Sequence, residues 1–431
     1  MRKEDLISDI IYLLMAGIVL LVGFLVIQPA INDGLLGANT GENILFILVA
    51  LVVGIVINVI LMELGHIIGA LIGGYKILSF NILGLNFYKD FSENHAKGQL
   101  KFRFKGFNGL TGETIIEPKK EKANPMFYVF FPLILFLLEF VAMYFAIQLI
   151  PVSASSHFEP VQIVKYGLVV STTIAGCIVL YDYFPAKLDT LNDGYRLISL
   201  LRNKINIEAY NEKLKLEANE YKGIKNTEYK IFEEITDFTA RINLETALKK
   251  VNEKAFDEAL SIIDSCLAKP EKISHSTKTD LLLNKVFISF LSKGKDAGLA
   301  LYKELDDETK ETVKKCKSLV GIRVYALYIA FDQKSKSEVK YAINKAKKMY
   351  DRLTIGEIDK EMSLVSDTLK LIMDFDSSLV DGEVIKDACY GKTDNHFYKE
   401  LIDYSLKSKK EEVKEDKTNK EEDTTISKEE K

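Results

Sequence analysis

Four long apolar runs, all within the first 185 positions, constrain this chain more than any other feature. A helix crossing a hydrocarbon layer of about 30 Å needs about 20 mainly apolar residues. Segments 10–29, 44–74, 126–150 and 163–184 all meet that length. From residue 200 onward Lys, Glu and Asp dominate, so the overall 48% hydrophobic and 27% charged residues average a membrane half and a hydrophilic half. A simple soluble enzyme is excluded. The formal charge of −4, with no basic stripe interleaved with aromatics, gives no footprint for nucleic acid. Cys177, Cys266, Cys316 and Cys389 are widely scattered with no CxxC pair, which supports neither a disulfide framework nor a thiolate zinc site.

Loop charges set the expected orientation. The first apolar run follows Arg2 and Lys3, but it is longer than a signal core and no small-residue cleavage site follows, so it reads as an uncleaved anchor. Segments 32–43 and 151–162 carry no Lys or Arg. The connection between the second and third runs holds Lys76, Lys89, Lys97, Lys101, Arg103, Lys105, Lys119, Lys120 and Lys122, and Lys187, Arg196, Arg202 and Lys204 follow the fourth. The positive-inside rule then puts both termini and the middle connection on the cytoplasmic side of the cell membrane, in a bacterial-type multi-pass arrangement.

That middle connection has its own pattern. Leu100, Phe102 and Phe104 alternate with Lys101, Arg103 and Lys105, the period-two signature of a half-buried strand. Segments 78–88 and 114–117 are weaker strand candidates. A small antiparallel sheet is expected over 76–120, either as a cover for helix ends or as an exposed edge that pairs with an extended peptide.

An ionisable residue inside a span is by default a functional hypothesis. The second run contains Met62-Glu63-Leu64-Gly65-His66, and residues three apart share a helix face, so Glu63 and His66 can point at one locus. The fourth run ends near Asp182-Tyr183-Phe184-Pro185, where proline should break the helix. Asn192-Asp193-Gly194 then follows an unwound stretch. By the loop charges both motifs lie on the same side.

Met62-Glu63-Leu64-Gly65-His66 resembles the HExxH element, often HELGH, of the site-2 protease family of intramembrane zinc metalloproteases. Asn192-Asp193-Gly194 after Pro185-Ala186-Lys187 resembles that family's later Asp-Gly motif, and the strand-rich connection matches its layout. The resemblance covers roughly residues 44–200. It implies zinc as cofactor, His66 and Asp193 as ligands, Glu63 as the catalytic group that activates water, and a membrane peptide as substrate, aligned by the strand-rich connection. The departure is Met62, which stands where the family has its first histidine. A thioether suits copper(I), whereas zinc takes imidazole, thiolate and carboxylate. Two matched ligands hold zinc far more weakly than three, and hydrolysis needs the metal to lower its water's pKa to about 7.

Three readings of this locus follow. The chain keeps the fold and groove as a pseudoprotease that binds a membrane peptide or protein partner without cutting it. Alternatively Glu63 itself joins His66 and Asp193 as a ligand, as Glu-x-x-His pairs do in di-iron bundles, and an active metallopeptidase results. In the third, Glu63 and His66 merely satisfy each other or a backbone carbonyl. Glu139 in the third run either bonds a neighbouring helix or substitutes for a lost ligand, and Asp182 is expected to be a helix-end or capping residue. Gly65, Gly69 and Gly73 form a small-xxx-small stripe suited to close helix packing.

Residues 1–200 are thus expected to form an all-α, four-helix transmembrane core with the β-insertion. Over 201–405 apolar residues recur at helical spacing. Ala247-Leu248 and Ala255–Leu260, closed by Pro270, weakly resemble a tetratricopeptide helix pair. Further helices are expected at 279–292, 319–331, 336–350 and 358–375, as a cytoplasmic α-helical domain that binds a cytoplasmic protein. They stack either as a solenoid or as a plain bundle. The charged tail, 406–431, has scarcely a hydrophobic residue and is expected to be disordered.

Overall fold

The computed structural model describes residues 3–37, 39–91, 98–104, 113–119, 123–151, 160–186, 191–224, 229–351, 353 and 355–408. Lys97, Lys105, Lys120, Lys122 and Lys187, most of the connection 151–162, and the tail from 409 on lie outside them. The chain divides into two units, Met1–Thr227 with Thr236–Thr239, and Glu228–Ile235 with Ala240–Lys431.

In the first unit, uninterrupted apolar sequence forms helices because every backbone polar group is then satisfied within its own segment. Four are long and apolar enough to cross a membrane: Leu6–Asn32, Thr40–Ile72, Pro125–Leu149 and Pro160–Asp182. The first is built from α1 (Lys3–Val22), a π turn (Gly23–Ile27) and α2 (Gln28–Asn32). The others are α3 (Thr40–Ile72), α4 (Pro125–Leu149) and α5 (Pro160–Asp182). Asn39 caps α3, its side chain accepting from the Glu42 amide at 3.1 Å. With 33 residues, α3 is about 50 Å long and outreaches a hydrocarbon core.

The glycine stripe packs α3 on α4. A Cβ at Gly65 would lie 2.4 Å from the Pro132 Cα, and one at Gly69 would lie 2.2 Å from the Phe127 carbonyl oxygen. A Cβ at Gly54 would lie 3.1 Å from the Ser171 Cα of α5, and polar groups bridge the three helices there. The Asn58 amide donates to the Ser171 carbonyl (3.0 Å) and hydroxyl (3.1 Å), and that hydroxyl donates to Glu139 at 2.6 Å. Glu139 thus bonds a neighbouring helix.

Between α3 and α4 the chain forms an antiparallel sheet ordered β3-β2-β1-β4, from β1 (Tyr75–Ile82), β2 (Leu85–Asp90), β3 (Gln99–Phe104) and β4 (Glu113–Pro118). The segment expected as one strand, 78–88, is a hairpin. Leu83 and Gly84 both have positive φ, 51° and 83°, as a two-residue primed turn requires. The sheet is rooted at the helix ends: the Lys119 amide donates to the Gly74 carbonyl (3.0 Å) and the Asn124 amide to the Gly73 carbonyl (2.9 Å).

Beyond α5 come α6 (Asp193–Arg202) and α7 (Lys204–Tyr221). The first unit runs past residue 200 because α7 is tied to the sheet. The Asn211 side chain bonds the Tyr75 hydroxyl and donates to the Ala123 carbonyl, the Tyr221 hydroxyl donates to the Lys89 carbonyl at 3.1 Å, and Lys222 pairs with Glu117 at 2.5 Å.

The second unit is helical. Its elements include α8 (Asp237–Asn252), α9 (Phe256–Leu267), α10 (His275–Lys293), α11 (Lys295–Glu304), α12 (Asp307–Lys314), α13 (Leu319–Tyr328), α14 (Lys336–Tyr350), α15 (Ile355–Phe375) and α16 (Gly382–Ala388). One continuous core takes in Ile263, Leu281, Phe287, Ile322, Ile343 and Leu369. Arg323 is buried within it, paired with Glu361 of α15 and lying 4.8 Å from the Phe287 ring centre. Lys360 of α15 pairs with Glu245 of α8, and Lys254 with Asp367 at 2.8 Å. These two links join residues more than a hundred positions apart in sequence.

Candidate functional site

The site is built where α6 begins against the ends of α3, α4 and α5. Asn192 makes that junction. Its side-chain oxygen accepts from the Tyr195 amide at 2.9 Å and caps α6. Its amide donates to the Tyr181 carbonyl (3.0 Å), freed because Pro185 four residues on has no N–H, and to the Phe184 carbonyl (2.8 Å), which also accepts from the Ala186 amide. Gly194 is required by the fit: a Cβ there would lie 2.2 Å from the Tyr183 carbonyl oxygen. Asp182, the last residue of α5, accepts from the Asp193 amide at 3.3 Å and acts as a helix-end partner.

This geometry brings Asp193 to His66. Their nearest atoms, Oδ2 and Nε2, are 3.7 Å apart and both side chains are buried. The other ring nitrogen, Nδ1, is 3.0 Å from the Tyr128 carbonyl. A carbonyl only accepts, so Nδ1 carries a proton and Nε2 is the ring atom that faces Asp193. That carbonyl is open to His66 for a local reason. Residue 132, four positions on, is proline, has no N–H, and leaves the Tyr128 carbonyl out of the α4 ladder. The Tyr128 ring also lies 4.7 Å from the imidazole, centre to centre.

The remaining groups come from other elements. Glu63 is buried and accepts from the Thr114 hydroxyl of β4 at 3.1 Å. Arg196, one turn beyond Asp193, donates to its Oδ1 at 3.0 Å. Burial pushes the Asp193 carboxyl above the usual range, and the Arg196 guanidinium opposes that rise. Tyr183 is pushed far above a normal phenol, first by burial and then by Asp193 and Asp182, and its hydroxyl donates to the Val129 carbonyl at 2.9 Å. Met62 packs in an apolar cluster with Phe136, Ala175 and Tyr183, beside Leu133 and Phe140.

Of the residues singled out in the sequence, His66 and Asp193 are brought into direct proximity. Glu63 is engaged by the sheet, Asp182 lies at the back of Asp193, and Glu139 bonds Ser171. Among the described residues, no group of three or more His, Cys, Asp and Glu side chains is placed to hold a metal ion. Two donors are in place: 3.7 Å compares with about 3.3 Å between neighbouring ligands of a tetrahedral zinc whose bonds are about 2.0–2.1 Å. Met62, which stands where the resemblance puts a third ligand, packs among hydrocarbons, and a guanidinium already sits on Asp193. Tyr128, Arg196, Thr114 and Tyr183 were not apparent from sequence, although Pro132 four residues after Tyr128 was a readable signal of a freed carbonyl. Compared with family models, curated proteins and solved structures, the chain matches none. The likeness to site-2 proteases therefore stands on the residues named above.

Proposed function

We propose that this chain is a site-2 protease-like membrane protein that has lost peptide hydrolysis and serves as a scaffold, holding a membrane peptide or protein partner on the cytoplasmic side. Met62 carries the reading. Catalytic zinc sites use three protein ligands and an open position for water, and here the third ligand is replaced by a neutral thioether embedded in an apolar cluster. Arg196 supports it further, because a fixed cation on Asp193 offsets the charge that a dication would otherwise balance. The residues present do not fit a catalytic zinc, so no hydrolytic step is derived. What they can do is bind: a buried imidazole, a buried carboxylate and a guanidinium next to a strand edge offer polar partners to an extended segment.

The test is Met62→His. If the surrounding frame is that of the family, this variant gains zinc affinity over the unsubstituted protein in equilibrium dialysis. No gain would argue against the kinship itself. A second reading, an active metallopeptidase with altered ligands, is favoured by one observation, the approach of His66 Nε2 to Asp193 Oδ2 at 3.7 Å. It requires that Glu63→Gln abolish turnover of a membrane substrate, and unchanged turnover would end it.

A further inference from the structure

The sheet has two unlike faces. The pairings Phe80↔Thr114, Phe80↔Phe87 and Phe87↔Phe102 align one row across all four strands. Beside it lies the row Ile82, Leu85 and Phe104, and on its other side Leu100 is opposite Lys89. The rings of the first row are in contact, with Phe80–Phe87 centres 4.9 Å apart and Phe87–Phe102 centres 5.0 Å apart. The opposite face is polar, with Ser79, Tyr88 and Lys101 in one row and Asn81, Asn86 and Arg103 in the next. That polar face meets α7, where Ile115, Ala218 and Tyr221 pack together and the Tyr221 hydroxyl meets Ser79.

Among the described residues, the apolar face meets α3 at its root. There Thr114 donates to Glu63, which lies nine residues before the end of α3, about 13 Å back along the helix axis. From there the same face runs across the sheet, with strands about 4.8 Å apart placing β3 about 14 Å from β4. On these outer strands Leu85 is 42% exposed, Leu100 74%, Phe102 56% and Phe104 61%. A contiguous apolar patch of this kind marks an interaction surface.

The geometry points to the lipid bilayer as its occupant: we propose that Leu85, Phe87, Leu100, Phe102 and Phe104 lie in the boundary between headgroups and acyl chains, beside α3. The face that continues outward is the one already seated against a membrane-spanning helix, and both of its chain connections enter spans, through α3 and α4. Aromatic rings bordered by Lys and Arg are the composition that this boundary favours. A second copy fits less well. Antiparallel addition at β3, the outermost strand, centred on Phe102, would set Lys101 against Arg103 of the other chain, a like-charge pair.

The chain contains no tryptophan, so a single introduced indole reports its own position. Full-length protein carrying Leu100→Trp, Phe102→Trp or Lys101→Trp is placed in phosphatidylcholine vesicles with and without brominated acyl chains. Side chains at the boundary sit about 5–10 Å deep, so Leu100→Trp and Phe102→Trp should be quenched roughly twofold or more by bromine, and Lys101→Trp, on the opposite face, far less. Equal, weak quenching at all three positions overturns the proposal. So does fluorescence at Phe102→Trp that changes with protein density in the vesicles but not with bromine, which would identify a second copy. The 74% exposure of Leu100 makes its replacement safe for folding, so the pair remains informative if Phe102→Trp is poorly tolerated.

Discussion

Pro132 cannot donate to Tyr128, and the carbonyl it leaves open is the one that orients His66. This pairing of a missing donor with a needed acceptor is a residue-scale cause of the site's geometry, and a second carbonyl of the same turn, Val129, is satisfied by Tyr183. Tyr183→Phe removes that buried hydrogen bond, at a cost of about 0.5–1.5 kcal/mol. Thermal unfolding in detergent should show a lower transition for this variant, and an unchanged one would contradict the assignment. Gly194→Ala should be more damaging, because backbone atoms of Tyr183 occupy the space its methyl needs. Its expected outcome is loss of folded protein on size-exclusion chromatography. At this scale the sequence revealed Met62, Glu63, His66 and Asp193 through motif spacing. It did not reveal Thr114, Tyr128 or Arg196 as partners, since those meetings depend on how strands and helices come together.

At the scale of elements, periodicity was a reliable guide where one physical rule dominated. The apolar runs became four helices, and the alternation around Phe102 became β3. The β1–β2 turn was obscured because Leu83 occupies a positive-φ position more often held by Asn or Gly. The contact of α14 with α16 was illegible because it is made of charges far apart in sequence: Lys336 with Asp381 at 3.1 Å, Lys340 with Glu383, and Lys347 with Asp387 at 2.7 Å. The Val384 amide and then Lys336 hold Asp381 below the usual carboxylate range. Burial acts to raise Asp387, but Lys347 and Asn344 outweigh it and leave it low. A carboxylate lowered in the folded state adds stability above its unfolded value, and that stability is lost as pH falls through the folded one. The helical unit should therefore unfold at a constant temperature down to about pH 4 and at a lower one below it. Asp387→Asn should weaken that acid dependence in circular dichroism melts, and an identical profile would contradict the role given to this pair.

For the whole molecule, two kinds of solvent explain two kinds of sequence. The first unit buries glycine and polar contacts between helices whose outer surfaces are apolar, while the second buries a conventional core. Its thiols follow from that core: burial pushes Cys316 up to about 11 and Cys389 up to about 12. The thiolate is the reactive form, so maleimide should label neither in the native chain at neutral pH and both after unfolding. Rapid native labelling would show that this core opens readily. Two features read as one fold from a distance, a membrane core and an appended helical unit, and both were visible in composition. Links such as Lys254 to Asp367 were not, since they leave no local pattern.

The central claim is that a metalloprotease-like frame here works without its metal. Metal analysis of the purified full-length protein by mass spectrometry, after equilibration with zinc, tests it most directly. The account expects far less than one zinc per chain, unchanged in His66→Ala and Asp193→Ala. Near-stoichiometric zinc that disappears in both variants would contradict it.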